Sequence, residues 1–78
     1  MSLKKPWKPL DRRTVASAPD RYGVYELGTD NGESIGVSTG VLADDLREAF
    51  AYGDARKVRW IVANSKEHAE RLLEEHRG

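Results

Sequence analysis

Arg21-Tyr22-Gly23-Val24-Tyr25-Glu26-Leu27, then Gly28-Thr29-Asp30-Asn31-Gly32, then Ser34-Ile35-Gly36-Val37-Ser38-Thr39 is the stretch on which the fold turns. Its first segment is rich in β-branched and aromatic residues and reads as a strand. The second is dense in turn formers and ends in Asn-Gly, the strongest short-range hairpin signal. The third reads as the returning strand, with Ile35 and Val37 on one face and Ser34, Gly36 and Ser38 on the other. The expectation is an antiparallel hairpin with one packing face and one face open to close approach.

Downstream of the hairpin, Leu42, Leu46, Ala49 and Phe50 recur at the spacing of one helical stripe, and Gly53 supplies a stop. Lys57 to Ala63 reads as a third strand with Val58, Trp60 and Val62 on one side. Asn64 followed by Glu67 has the form of a capping box, and Ala69, Leu72, Leu73 and His76 form a second helical stripe. Upstream, Pro6, Pro9 and Pro19 punctuate an extended arm anchored by Trp7 and Leu10, with a short helical turn around Arg12–Ser17 and a disordered start. The predicted class is α+β: a small three-stranded antiparallel sheet with two packed helices in β-β-α-β-α order. Residues 1–18 form an N-terminal basic arm and residues 19–78 the domain.

Composition narrows the functions open to this chain. Its 78 residues, 38% of them hydrophobic, have room for one modest core, so a shallow groove or sheet face is expected rather than an enclosed cleft. The absence of cysteine excludes a disulfide, a disulfide-linked partner, a thiolate zinc site and a cysteine nucleophile. His68 and His76 are separated by about 12 Å along a helix, too far to share a ligand. No apolar run approaches the roughly 18 residues of a membrane span, and none follows Met1–Pro6 as in a signal peptide. A cytoplasmic location with no membrane partner is therefore expected.

Thirteen basic and thirteen acidic residues cancel, but unevenly. Residues 1–21 carry a charge of +4, residues 22–54 a charge of −6, and residues 55–78 a charge of +2. A dedicated nucleic-acid binder carries a clear basic excess. Here the candidate nucleic-acid contacts are confined to Lys4, Lys5, Lys8, Arg12 and Arg13 of the arm and Arg56, Lys57 and Arg59 before and within the third strand.

Gly23-Val24-Tyr25 on the first strand and Ser34-Ile35-Gly36 on the second, followed by helix, strand and helix, resemble the GIY-YIG nuclease domain over about residues 19–77. That resemblance implies a phosphodiesterase scaffold in which strand tyrosines position and deprotonate water, a helix arginine steadies phosphate and a glutamate holds a divalent metal. Carried over, Tyr25 matches the first-phrase tyrosine. Glu70 matches the metal-binding glutamate, with Glu74 one turn later as an alternative register. Both are candidate catalytic residues, Glu70 through magnesium. Ser34 stands where the family has its second tyrosine, and Asp45 precedes Leu46 where the family places its arginine. Arg47 cannot substitute, because two positions along a helix turn it about 200° away.

The expected function is consequently a non-catalytic interaction module binding a protein or a nucleic acid, with no cofactor. A residual divalent-metal-dependent endonuclease acting on DNA or RNA, using Mg2+, is the alternative.

Overall fold

In chain order, the computed structural model, which describes residues 3–77, contains β1 (Lys8–Pro9), α1 (Arg12–Ser17), β2 (Tyr22–Gly28), β3 (Ser34–Val41), α2 (Leu42–Tyr52), β4 (Lys57–Val62) and α3 (Lys66–Arg77). The hairpin forms where its turn residues predict. Gly32 adopts φ 81°, a conformation that suits glycine. The loop is closed by Gly32 N–H donating to Thr29 O at 2.9 Å and Thr29 N–H donating to Glu33 O at 2.8 Å.

All strand pairings are antiparallel, in the order β1-β4-β2-β3. The sheet thus has four strands, not the three expected. The additional one comes from the arm, where Lys8 opposes Val58 and Pro9 opposes Lys57. A two-residue edge strand is where proline's missing donor costs least, which is why no strand signal marked it. A third helix, α1, is nucleated by Asp11, whose Oδ1 accepts from Thr14 N–H at 2.8 Å.

Pleating sends neighbouring residues of each strand to opposite faces. Tyr25, Leu27, Val58 and Trp60 face one side, where they pack with Leu42 and Leu46 of α2 and with Val15 and Ala18 around α1. Val24, Val37 and Ile61 face the other side and meet Ala69, Leu72 and Leu73 of α3. Leu42, Leu46, Val24 and Val58 are fully buried, each contributing about 1.5–3 kcal/mol through the hydrophobic effect. The sheet is therefore a middle layer, with α1 and α2 on its first face and α3 on its second.

The arm fastens both layers. Leu3 is buried in the second-face core and Leu10 in the first-face core, so the chain between them passes around the β4 side of the sheet. Trp7 lies against Gly28, where an added Cβ would fall 2.6 Å from the indole ring. Of the disordered start expected from the sequence, Met1 and Ser2 lie outside the described residues.

Two local readings differ from the sequence expectation. Register shifts at the end of β2, so that Leu27 opposes Gly36 and Gly28 opposes Ser34. Ile35 is left as a bulge residue, 54% exposed, instead of sharing Val37's packed face. At α3 the cap is Ser65, not Asn64: its Oγ accepts from His68 N–H at 3.1 Å, and His68 Nδ1 accepts from Asn64 N–H at 2.9 Å. Histidine thus takes the reciprocal role expected of Glu67.

Candidate functional site

On the first face, β2 and α2 flank a groove of about 390 Å³ lined by Tyr25, Asp45, Glu48, Ala49, Tyr52 and Gly53. Strand alternation places the Tyr25 ring on this face, and Asp45 reaches it from the first turn of α2. The phenol donates to Asp45 Oδ2 at 2.9 Å. Gly40, opposite Gly23 on β3, makes room for that carboxylate, since any Cβ there would collide with Asp45 Oδ2. Tyr52 stands at the rim, 87% exposed.

The electrostatics fix the protonation of Tyr25. Burial contributes most, followed by the hydrogen bond to Asp45 and the negative charges of Asp45 and Glu48. The Ser38 hydroxyl opposes them, and together they push the phenol up to about 12. At neutral pH Tyr25 is therefore a hydrogen-bond donor whose acceptor is already chosen. It is poorly suited to act as a general base, which needs a group ionised near the working pH. Two carboxylates on the same walls repel phosphate and favour cations.

Glu70 is exposed on α3. Because α3 packs on the second face and Tyr25 projects from the first, the sheet separates the two. Glu74, also exposed on α3, shares that separation. Among the described residues, no three histidine or acidic side chains converge as a metal-binding set. Ser34 lies at the start of β3. Arg47 turns away from Tyr25 to Asp44, 3.8 Å off in an exposed pair.

The basic candidates divide into separate groups. Lys5, Lys8 and Arg59 line a second groove of about 230 Å³ with Pro6 and Trp60, on the β1–β4 side of the sheet. Lys8 Nζ lies 4.5 Å from the centre of the Trp60 ring. Arg12 lies elsewhere, beside Arg47 and Phe50. Lys4, Arg13 and Arg56 are exposed, and Lys57 is half-buried opposite Pro9.

Arg59 is committed inward. Its Nε donates to Glu26 Oε1 at 2.7 Å, its Nη1 donates to Lys5 O at 2.8 Å, and its guanidinium lies 3.9 Å from the centre of the Trp7 ring. Glu26 is fully buried, and its Oε1 also accepts from Leu3 N–H at 2.9 Å. Burial raises its carboxyl, but the Ser34 hydroxyl, the Arg59 guanidinium and the Leu3 amide outweigh this and hold it below the ordinary value. Its other oxygen, Oε2, meets no donor in bonding geometry. The Glu26–Arg59 pair went unread in the sequence, although Glu26 alternates with Val24 on a packing face and so marks an inward carboxylate.

A family model described as "Domain of unknown function (DUF7508)" matches residues 1–78. The chain belongs to this family, and the match takes in the arm as well as the sheet. No curated protein and no solved structure matches it. No helix among the described residues is long and apolar enough to cross a membrane.

Proposed function

We propose that this domain is a non-catalytic interaction module on a GIY-YIG-like scaffold, and that it engages a protein partner by receiving a lysine or arginine side chain in the first-face groove. One observation carries the reading: the Tyr25 phenol donates to Asp45 inside a groove whose further charged wall is Glu48. That arrangement offers two carboxylates and two tyrosine rings to a cation, and nothing to a phosphate. The separation of Tyr25 from Glu70 by the sheet supports the same reading.

The test is an NMR titration of the whole chain with a short arginine- and lysine-containing peptide, and in parallel with DNA and RNA oligomers plus magnesium. Shifts confined to Tyr25, Asp45, Glu48, Ala49 and Tyr52 with the peptide, lost in Asp45→Asn, are expected. Divalent-metal-dependent cleavage of either nucleic acid, abolished by Tyr25→Phe or Glu70→Ala, would overturn the proposal.

A further inference from the structure

The two edges of the sheet are finished differently. On one side the edge strand is β1, two residues long and ending in Pro9, the kind of short, donor-poor border that discourages further pairing. On the other side lies β3, eight residues long, Ser34-Ile35-Gly36-Val37-Ser38-Thr39-Gly40-Val41. It has no charge and no proline, in a chain of which a third is charged. The bulge at Ile35 is its only irregularity.

Alternation of the ladder shows which backbone groups this edge presents. Leu42 N–H donates to Arg21 O at 2.9 Å, which makes residues 21 and 42 a hydrogen-bonded pair. Counting back along the register, Gly40, Ser38 and Gly36 bond to β2, and Val41, Thr39 and Val37 direct their N–H and C=O groups outward. The C=O of Val41 starts the hydrogen bonding of α2 as its N-cap. Among the described residues, no other group bonds to the outward N–H and C=O of Val37 and Thr39 or to the outward N–H of Val41.

We infer that β3 pairs with β3 of a second copy of this chain, antiparallel, about a two-fold axis at Thr39. In that register Thr39 opposes Thr39 of the second copy and Val37 opposes its Val41. The outward N–H groups of Thr39 and Val41 in each copy meet the outward C=O groups of Thr39 and Val37 in the other. The side chains brought opposite one another are β-branched on both strands, a favourable cross-strand combination, and no like charges are apposed. A two-fold pairing is self-complementary and closes on itself, yielding one continuous eight-stranded sheet. The same register carries the exposed Ile35 toward the start of α2 in the second copy. The first-face groove takes no part in the pairing, so the inference stands apart from the proposed function.

The register can be tested directly because the chain contains no cysteine. Hydrogen-bonded antiparallel partners lie about 5.5 Å apart at Cα, within the range of about 4.4–6.8 Å that a disulfide spans. Thr39→Cys should therefore oxidise to a covalent dimer at least tenfold faster than Ser38→Cys, whose side chains leave the opposite face and sit diagonally. Sedimentation of the unmodified chain should show two chain masses, and Thr39→Asp and Thr39→Lys should each show one. An equimolar mixture of those two variants should restore the dimer. Amide exchange in the unmodified protein adds a measurement that needs no variant: Thr39 and Val41 N–H should become at least tenfold more protected as concentration rises. A chain that stays monomeric up to about 1 mM refutes the inference. So does equal crosslinking at residues 38 and 39, or protection that ignores concentration.

Discussion

Removing the carboxylate of Glu26 should loosen the arm and lower stability at once, because that single side chain joins three parts of the molecule. Its Oε1 holds the Leu3 amide and Arg59, and Arg59 in turn holds the Lys5 carbonyl and lies over Trp7. Glu26→Ala leaves the Leu3 N–H without its acceptor, about 1–3 kcal/mol for a buried donor. It also leaves Arg59 without its counter-ion, about 3–5 kcal/mol where the orphaned charge is buried. The Arg59 side chain retains 13% exposure and keeps its bond to Lys5, so the lower part of each range applies. A loss of about 4 kcal/mol is expected. For 78 residues, total stability is on the order of 4–12 kcal/mol, so the variant sacrifices a substantial share of it. Urea denaturation followed by circular dichroism reads this as a lower midpoint.

The pH dependence separates an ion pair from mere packing. In the native protein the Glu26 carboxyl is held below its ordinary value. Its contribution is therefore complete above the unfolded value of 4.5 and is lost as pH falls through the lower folded value. Arg59→Met inverts this. Glu26 is then buried without its cation, its carboxyl rises, and stability is greatest below pH 4.5 and declines as pH climbs through the raised value. Equal pH profiles for the native chain and Arg59→Met, or a Glu26→Ala cost below about 0.5 kcal/mol, would refute the reasoning.

Asp45→Asn removes the charge that helps hold the Tyr25 proton, so the phenol should titrate measurably below about 12 in ultraviolet difference spectra; an unchanged midpoint would leave burial as the whole cause. In the native chain the raised value means that Tyr25 favours folding below pH 10 and that this advantage is lost as pH rises from 10 to 12. Discounted for partial exposure, the loss is about 1 kcal/mol, and Tyr25→Phe should flatten that part of the stability profile. Gly40→Ala should mimic Asp45→Asn in the titration, because its Cβ displaces the Asp45 carboxylate from the phenol. Trp7→Ala should cost about 2 kcal/mol in urea denaturation, below the range for a fully buried tryptophan because the ring is half-buried. Gly28→Ala should act in the same direction by displacing the indole, and a neutral result in both would detach Trp7 from the arm's anchorage.

Much of the fold was legible because it is written in local patterns. The Asn31-Gly32 turn, the apolar stripe from Leu42 through Ala49 and the alternation around Val58 and Trp60 each specify an element from its own few residues. β1 was not legible, since two residues that include Pro9 carry no strand pattern and pair only because the arm is carried past β4. The same holds for the arm as a whole. Its polar, proline-punctuated sequence reads as an appendage, and only the opposite burial of Leu3 and Leu10 shows that both cores depend on it. Asp45 was recognisable by contrast with the resemblance, but its hydrogen bond to Tyr25 depends on Gly40 leaving space beneath it, which no spacing rule records.

The placement of α3 has the largest consequence for function. Tyr25 and Glu70 become candidates together only when sequence order stands in for spatial proximity. The pleat sends Tyr25 toward α2 and its neighbour Val24 toward α3, so one strand position decides which helix a side chain meets. A shift of one residue along β2 would turn Tyr25 toward α3 and bring Val24 and Glu26 to the α2 face. The register is fixed by Val24 and Leu27 packing on opposite sides, so that exchange would disrupt both cores. What Tyr25 meets instead is carboxylate, from Asp45 and Glu48. A groove that holds its own phenol protonated and bears negative charge has the chemistry to receive a cation, and the basic residues beside Trp60 line a separate groove.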